Sequence, residues 1–394
     1  MPILSHKIQL KPNTAQVTYF KNACGAARKV YNEALAMWSA AYEAGQKPDA
    51  NVLKLEFNKV KYTKFPWLKD VHRDCSSQPF ADLAKAFSNF FKKRTNHPVF
   101  KRKGRSKDTF YVASDKFKVD GYRVKLPKIG WVKMTEELRF SGSIKSARVS
   151  RKADRWFISI AVDLDSYEPV RSKNTVPMGI DLGIKATATC TDGVVYNSPK
   201  PLRKLKRILV KHSRRLSRKE IGSNNYNKQC VKLSRIHARI ANIRQDFIHK
   251  MTTEIVRKSH AIVLEDLSVL NMLKNHNLAR ALADEGFAEI RRQFEYKCSL
   301  NGVPIMITNR YFPSSRLCSN CGWKDTELTL NDGVFKCKQC GLEIDRDLNA
   351  AYNLVNQLPK AIGEVKPVDR LDPSLFKEYR DEAGIEVYKK VHRK

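Results

Sequence analysis

The sequence predicts a multidomain α+β protein, in which a small antiparallel β-barrel with a helical insertion precedes an α/β domain that carries a metal-binding insertion. Three observations favour this fold class. Apolar residues follow helical spacing through much of the first 99 residues, whereas between about residues 108 and 165 they alternate with a period of two. Beyond residue 176, apolar strand patterns alternate with helical ones, and two CxxC pairs lie near the end of that region.

The N-terminal part begins with an alternating stretch over residues 3 to about 12, which predicts a short strand. From about residue 13 the spacing becomes helical, and it is helical again near residues 76 to 93. Two later alternating stretches, FKVDGYRVKLPKIGWVKM and SARVSRKADRWFISIAVDLD, contain Gly, Pro and Asp where turns are needed. We therefore expect residues 1–12 and 100–168 to form the β-barrel and residues 13–99 to form a helical domain.

A polar segment near residues 166 to 176 predicts a domain boundary. After it, VPMGIDLGIKATATCTDGVVY predicts three antiparallel strands, the first of which contains Asp181. There follow a long basic helical pair, an apolar strand ending on Glu265 and Asp266, a helix, a further apolar strand and a helix with an acidic first turn. We expect an α/β domain over residues 169–310 and 342–357, an insertion over 311–341, and a flexible tail over 358–394.

The charge balance points to a polyanionic partner. The chain of 394 residues contains 74 Lys and Arg against 40 Asp and Glu, a formal net charge of +34. A surplus of this size repels itself unless a polyanion such as nucleic acid balances it. The basic residues recur along the whole chain, which favours a long track over a single patch. The sequence contains no apolar segment typical of a signal peptide or membrane span, so we expect a cytoplasmic protein without a membrane partner.

Four cysteines form a pattern typical of a metal site. Cys318 and Cys321 are separated from Cys337 and Cys340 by fifteen residues, a spacing that predicts a tetrahedral zinc site. A glycine follows each pair and can adopt the positive φ that a metal knuckle requires. Four thiolates leave no open position for a substrate water, so this zinc is predicted to be structural. The chemistry must then lie elsewhere.

Three acidic positions provide a candidate for that chemistry. Asp181 and Glu265 lie at the ends of predicted strands, and either Asp345 or Asp347 lies at the start of a helix. A single carboxylate at a strand end is more often a solvated cap, but three at one sheet edge would repel one another without cations. Mg²⁺ or Mn²⁺ suits oxygen ligands, and two such ions about 4 Å apart support phosphodiester hydrolysis. The sequence therefore predicts a metal-dependent nuclease.

The order of the motifs GIDLGIK, VLEDL, FPSSRLCSNCG, CKQCG and DRDLNAAYNL resembles the TnpB family of transposon-encoded RNA-guided DNA endonucleases, over roughly residues 1 to 357. The resemblance implies a wedge-like barrel and a RuvC-like nuclease domain of RNase H-like fold, with a zinc ribbon inserted before the last catalytic acid. It assigns the catalytic, metal-binding acids to Asp181, Glu265 and Asp347. Asp345 would then be a helix cap or neighbour, and Asp266 a spare beside Glu265.

The resemblance also implies partners. A noncoding guide RNA would pair with double-stranded target DNA, and a monomer with one RNA would read a short flanking motif on the DNA of a prokaryotic nucleoid. Gln78, helped by Ser77, is the expected base contact, against the alternative of an exposed residue without a contact. The expected phosphate contacts are Lys92, Lys93, Arg94, Lys101, Arg102 and Arg105. A third group, Arg214, Arg215 and Arg218, would line the nuclease cleft or hold RNA.

Three alternatives remain at this point. A compact type V CRISPR effector would use the same chemistry with a different source of guide. An RNA-guided repressor would bind DNA without cutting it, but the complete set of three acids argues against this alternative. A transposase that joins DNA strands itself would leave the cysteine insertion and the order of the motifs unexplained.

Overall fold

The computed structural model describes residues 2–169, 176–329, 332–358 and 386–387. The chain divides into two compact units, Met1–Tyr167 and Glu168–Lys394. Residues 170–175 of the predicted boundary segment lie outside the described residues. The same holds for the predicted C-terminal tail, apart from residue 358 and the pair 386–387.

The first unit combines seven strands with three α-helices. In chain order these elements are β1 (Ile3–Lys11), α1 (Thr14–Glu43), α2 (Ala50–Lys64), α3 (Asp74–Phe91), β2 (Thr109–Ala113), β3 (Lys118–Asp120), β4 (Arg123–Leu126), β5 (Gly130–Met134), β6 (Gly142–Lys152) and β7 (Arg155–Leu164). The predicted N-terminal strand, the helix from about residue 13 and the helix near residues 76 to 93 are all present as β1, α1 and α3.

Local sequence accounts for where the first two helices begin. Asn13 caps α1, because its side chain accepts a hydrogen bond from the Gln16 amide while the Gln16 side chain accepts one from the Asn13 amide. Asp49 caps α2 by accepting from the amides of Asn51 and Val52. These contacts satisfy backbone donors that would otherwise lack partners in the first turn of each helix.

The seven strands form one antiparallel sheet in the order β2-β6-β7-β1-β5-β4-β3. The sheet is open among the described residues, with β2 and β3 at its two edges, so the predicted closure into a barrel is wrong. Helices cover the apolar face that an opposing strand would cover in a barrel. Phe20 of α1 lies 5.0 Å, centroid to centroid, from Trp156 of β7 and 5.7 Å from Phe110 of β2. Strand and helix side chains therefore share one hydrophobic core.

The second unit contains a mixed sheet with helices on both faces. Its elements are β8 (Val176–Asp181), β9 (Ala188–Cys190), β10 (Val195–Tyr196), α4 (Pro201–Ser217), α5 (Asn224–Lys258), β11 (Ser259–Leu264), α6 (Val269–Met272), α7 (Ala279–Glu285), α8 (Phe287–Asn301), β12 (Ile305–Ile307), β13 (Val334–Lys336), β14 (Glu343–Asp345), α9 (Arg346–Val355) and β15 (Glu386–Val387).

The main sheet of this unit has the order β10-β9-β8-β11-β12-β15. The central strands β8, β11 and β12 are parallel, whereas β9, β10 and β15 are antiparallel to their neighbours. Side chains of β11 alternate between two cores. Ile262 and Leu264 pack with α5 and α8, while Val263 packs with Leu354 of α9. In the described part of the chain, no helix is long and apolar enough to span a membrane.

Candidate active site and metal centre

The carboxyl ends of two neighbouring parallel strands place two of the predicted acids together. Strands β8 and β11 are paired with Ile180 opposite Leu264. Asp181 is the last residue of β8 and Glu265 directly follows β11, so both acids lie one residue beyond the same pair. Both side chains are half-buried. The predicted placement of these acids at strand ends agrees with the structure.

A close helix contact adds the third acid. A Cβ atom built on Gly179 of β8 would lie 2.0 Å from the Ala351 carbonyl oxygen of α9, so only glycine permits this approach. The helix therefore lies directly against the strand that ends in Asp181. Asp347 is in the first turn of α9. Asp345 is instead the N-cap of that helix, since its exposed carboxylate accepts from the amides of Asp347 and Leu348, each at 3.0 Å.

The three acids form one electrostatic cluster. Desolvation raises the pKa of Asp181 well above its ordinary value, and repulsion from Glu265 and Asp347 raises it further, while Arg346 opposes the shift. Desolvation also raises the pKa of Glu265, against the effect of a hydrogen bond from Ser314. The acids thus crowd negative charge into a poorly solvated place. This charge and the hard oxygen donors fit divalent cations such as Mg²⁺.

Neighbouring side chains hold two of the three carboxylates of the cluster, those of Glu265 and Asp347. The Ser314 hydroxyl donates a hydrogen bond to Oε1 of Glu265. Arg346 donates to Oδ1 of Asp347 from Nη2 at 2.9 Å and from Nε at 3.2 Å. The acids interact electrostatically, but in the described ranges only the cysteines form a group of three or more ligand atoms that all lie within 4.8 Å of one another.

Asp266 bonds two arginines instead of joining the acidic cluster, as expected for the neighbour of Glu265 that has no catalytic role. It accepts from Arg291 of α8 at 2.6 Å and from Arg310 at 2.5 Å. Arg291 also bonds Glu295 at 2.9 Å. Asp266 therefore ties the segment after β11 to α8 and to the segment after β12.

The four predicted cysteines lie close together, with each CxxC pair in a turn of its own. Their Sγ atoms all lie within 4.8 Å, with Cys318 to Cys340 at 3.6 Å and Cys321 to Cys337 at 3.5 Å. Sulfur atoms around tetrahedral zinc with bonds near 2.3 Å are about 3.8 Å apart, so the geometry fits a structural zinc ion. Hydrogen bonds from the Leu342 amide, Asn320 and neighbouring cysteines lower the pKa of Cys340 to about 6, whereas the other cysteines help to raise the pKa of Cys321 to about 12.

The two turns that contain the CxxC pairs have the same backbone hydrogen bond. The Gly322 amide donates to the Cys318 carbonyl, and the Gly341 amide donates to the Cys337 carbonyl. Both glycines have positive φ, at 77° and 74°, as the sequence predicts. The hairpin β13–β14 then leads from the second turn into α9, with Val334 opposite Asp345. The cysteine insertion therefore delivers the chain directly to the helix that carries Asp347.

Ser77 and Gln78, the predicted base contacts, lie half-buried in α3. The Gln78 amide donates to Asp82 Oδ1 at 3.2 Å, and two nitrogens of Arg148 each lie 3.1 Å from the oxygens of Asp82. The orientation of the Gln78 amide is therefore set by its hydrogen bond to Asp82, which is itself paired with Arg148. Base contact by these residues stays a prediction.

The predicted basic contacts differ in their surroundings. Lys101 is engaged within the protein, since its ammonium lies 3.4 Å from the centroid of the Tyr31 ring and its backbone bonds the Asn32 side chain in both directions. Desolvation lowers the pKa of Lys101. The other predicted contacts are exposed: Lys92, Lys93, Arg94, Arg102, Arg105, Arg214, Arg215 and Arg218.

Sequence reasoning missed several residues that shape the site. Gly179 was present in the motif GIDLGIK, and Ser314 in FPSSRLC, but neither was predicted to have a role. Asn349 and Asn353 of α9 were likewise missed. Their four-residue spacing could have indicated a role, because residues four apart lie on the same face of a helix. Buried amides on one face need hydrogen-bond partners on a neighbouring segment.

Comparisons with known proteins were made over the whole chain. Three family models match, described as "Probable transposase" over residues 158–276, "Cas12f1-like, TNB domain" over 287–354 and "Helix-turn-helix domain" over 1–47. A protein of Escherichia coli (strain K12) named "Putative RNA-guided DNA endonuclease InsQ" is 33% identical over 366 residues, covering 89% of this chain and 90% of the relative.

A second relative and a solved structure agree with this result. A protein of Streptomyces pristinaespiralis named "Putative RNA-guided DNA endonuclease" is 34% identical over 357 residues. The match covers 89% of this chain and 88% of that relative. The fold is similar to that of Cas12f1 in a cryo-EM complex with sgRNA and target DNA, with a TM-score of 0.55, 18% identity and coverage of 87% of this chain and 83% of that one. The chain belongs to the TnpB family of RNA-guided DNA endonucleases.

Proposed function

We propose that this protein is a transposon-encoded RNA-guided DNA endonuclease that cuts DNA complementary to its guide RNA beside a short flanking motif. The observation that carries the proposal is the meeting of Asp181, Glu265 and Asp347 where two parallel strands end and one helix begins. An acidic cluster with this position suits phosphodiester hydrolysis. Relatives at 33% and 34% identity that are named as RNA-guided DNA endonucleases support the guide and the substrate.

We assign the second unit to a RuvC-like nuclease domain of RNase H-like fold, interrupted by a zinc ribbon that contains the four cysteines. The mixed sheet and the helices on both faces support this assignment. In the first unit, the open sheet would act as the wedge-like domain and α1–α3 as the recognition domain. The protein would work as a monomer with one RNA, in the prokaryotic cytoplasm, on DNA of the nucleoid.

The carboxylates would perform the central step. Asp181, Glu265 and Asp347 would hold two Mg²⁺ or Mn²⁺ ions, whose chemistry would be to activate water and to stabilise the leaving oxygen of the phosphodiester. Ser314 fixes the Glu265 carboxylate by its hydrogen bond. Arg346 compensates the charge of Asp347, and the Asp345 cap fixes the helix turn on which Asp347 lies. One Zn²⁺ at the cysteines would be structural, since four thiolates close its coordination sphere.

Nucleic acid would be recognised by groups of different kinds. Gln78 and Ser77 would contact bases of the flanking duplex, because an amide presents both a donor and an acceptor to a base edge. Exposed Lys92, Lys93, Arg94, Arg102 and Arg105 would contact phosphates, which position the duplex without specifying sequence. Lys101 would join them only by leaving the Tyr31 ring. Arg214, Arg215 and Arg218 would hold RNA or line the cleft.

Two acids separated by one residue, Asp345 and Asp347, provide the sharpest test of the site. The purified protein–RNA complex should be given a matched DNA target in Mg²⁺, with Asp347→Asn and Asp345→Asn compared under single-turnover conditions. Asp347→Asn should bind the target and lose cleavage by at least about 10³-fold, because a metal ligand is lost. Asp345→Asn keeps a good helix cap and should cut within about threefold of the wild type. Equal loss in both variants, or normal cutting by Asp347→Asn, would overturn the assignment.

A further inference from the structure

The segment that carries the first metal-binding cysteine is hydrogen-bonded to the helix that carries Asp347. Asn349 of α9 is fully buried, and its amide nitrogen donates to the Leu317 carbonyl at 2.6 Å. Its amide oxygen accepts from the Ser319 amide at 3.0 Å. These two backbone groups flank Cys318 on either side, so one side chain of α9 fixes the backbone around a metal ligand.

The same helix face makes further contacts with this segment. Asn353, one turn after Asn349, is buried and donates to the carbonyls of Ser314 and Leu317 at 2.8 and 2.6 Å. Asn356 donates to the Ser319 carbonyl at 3.2 Å. Positions 349, 353 and 356 lie on one face of a helix, and all three bond the stretch from Ser314 to Ser319. The stretch is therefore attached to α9 along its length.

The start of this stretch reaches the other catalytic strand. Ser314 is buried, its carbonyl is held by Asn353, and its hydroxyl donates to Glu265 at the end of β11. Hydrogen bonds thus form a continuous path from the cysteine to the acids. Asn349 bonds the backbone on both sides of Cys318, Asn353 bonds the Ser314 carbonyl, and the Ser314 hydroxyl bonds Glu265. Asp347 lies two residues before Asn349 on the same helix.

We propose that Ser314, Asn349 and Asn353 are positioning residues that make the four-cysteine centre and the acidic cluster one mechanical unit. In this arrangement, metal bound by the cysteines fixes the orientation of the Glu265 and Asp347 carboxylates. Occupation of the acidic cluster in turn restrains the segment that carries Cys318. This coupling rests on the proposed function of the acids, but it predicts a property of the protein that does not depend on cutting.

Linkage makes the coupling measurable in both directions. If Mg²⁺ at the acids restrains the segment around Cys318, then Mg²⁺ should slow the loss of zinc from the cysteines. Mg²⁺ prefers oxygen ligands and does not compete for thiolates, so a direct effect at the cysteines is not expected. The hydroxyl of Ser314 is the smallest group whose removal should break the contact with Glu265 while leaving both centres in place.

The test follows zinc transfer from the purified protein–RNA complex to a zinc-selective chelating dye, with and without Mg²⁺. In the wild type, Mg²⁺ should slow zinc transfer by about fivefold or more. Ser314→Ala should release zinc at nearly the wild-type rate without Mg²⁺ and should show a smaller Mg²⁺ effect, because the contact with Glu265 is lost while the contacts of Asn349 remain. Its cleavage rate constant should fall about 10- to 100-fold with DNA affinity unchanged, and more Mg²⁺ should be needed for half-maximal rate.

Two further variants complete the design. Ser315→Ala makes the same change in the neighbouring residue, whose hydroxyl has no hydrogen bond among the residues described, and it should behave as wild type. Ser314→Thr restores a hydroxyl and should recover both the Mg²⁺ effect and the cleavage rate. A Mg²⁺ effect of equal size in Ser314→Ala and wild type, or none in the wild type, would overturn the coupling. Failure of the wild type to cut would instead overturn the proposed function.

Discussion

His72 is a buried, neutral histidine in the first unit. The Tyr111 carbonyl can only accept, so Nε2 donates to it at 2.7 Å. The Tyr19 hydroxyl accepts from the His72 backbone amide and donates to Nδ1 at 3.0 Å. Desolvation lowers the pKa of His72 below 6.5, with the Tyr111 carbonyl and Asp74 opposing and Lys128 assisting. Both ring nitrogens are thus used in the neutral state.

This environment predicts a loss of stability in acid. Because the pKa is lower in the folded state, the stabilisation is present above pH 6.5 and is lost as the pH falls towards the pKa of the folded protein. The free energy of unfolding of the wild type should decrease relative to that of His72→Gln between about pH 7 and pH 5, since Gln does not titrate. Chemical denaturation at several pH values measures this. A difference that stays constant with pH would contradict it.

Glu265 and Asp266 are adjacent acids with different contacts. Glu265→Gln should abolish cleavage, because a ligand in the acidic cluster is lost. Asp266→Asn removes two partly exposed ion pairs with Arg291 and Arg310 and should cost about 1 kcal/mol of stability, with cleavage retained. Single-turnover cleavage together with thermal unfolding distinguishes the two roles. Loss of cleavage in a folded Asp266→Asn variant would place Asp266 in the catalytic cluster.

At the scale of elements, the contact between β8 and α9 determines where the third acid lies. Gly179→Ala would place a methyl group 2.0 Å from the Ala351 carbonyl oxygen and 2.9 Å from Val355. We expect a loss of about 1–3 kcal/mol in unfolding free energy, together with loss of cleavage as α9 moves. Gly25→Ala in α1 is the control. It has open space around its Cβ position, and Ala favours a helix, so stability should stay equal or rise.

Most elements were predictable because their apolar periodicity is strong. The alternation in β6 and β7 and the apolar runs of β8 and β11 predicted these strands, and the ends of β8 and β11 give the positions of Asp181 and Glu265. The barrel was not predictable, because alternation shows which face of a strand is buried and leaves open whether a helix or a strand covers it. Here Phe20 of α1 covers the face that Phe110 and Trp156 share.

The positions of the candidate acids and the convergence of the four cysteines were predictable from the sequence. Two CxxC pairs at this spacing are typical of a four-cysteine metal site, so the cysteine cluster could be predicted from the sequence. The supporting residues do not follow, because their hydrogen-bond partners are distant in sequence. Ser314 bonds a residue 49 positions away, and Asn349 bonds a carbonyl 32 positions away. Such pairs become visible only when the sheet, the helix and the cysteine segment are assembled.

At the scale of the whole molecule, the charge of +34 should dominate affinity for nucleic acid. Replacing exposed Lys92, Lys93 and Arg94 by Gln should weaken binding of all DNA targets alike and reduce the slope of log affinity against log salt by about 0.9 for each lost duplex phosphate contact. Gln78→Ala should instead change the preferred flanking bases with the slope unchanged. Binding titrations over a range of salt concentrations separate the two effects. An unchanged slope in the triple variant would exclude these residues as phosphate contacts.

The measurement that tests the central claim most directly is guided cleavage by the complete complex. The protein should be co-expressed with its native flanking DNA, the copurifying RNA sequenced, and the complex given a matched plasmid with randomised flanking bases in Mg²⁺. We predict cutting that requires the RNA and a flanking motif, while Asp181→Ala binds the same plasmid without cutting it. Binding without cleavage by the wild type, or cleavage that ignores the RNA, would contradict the account.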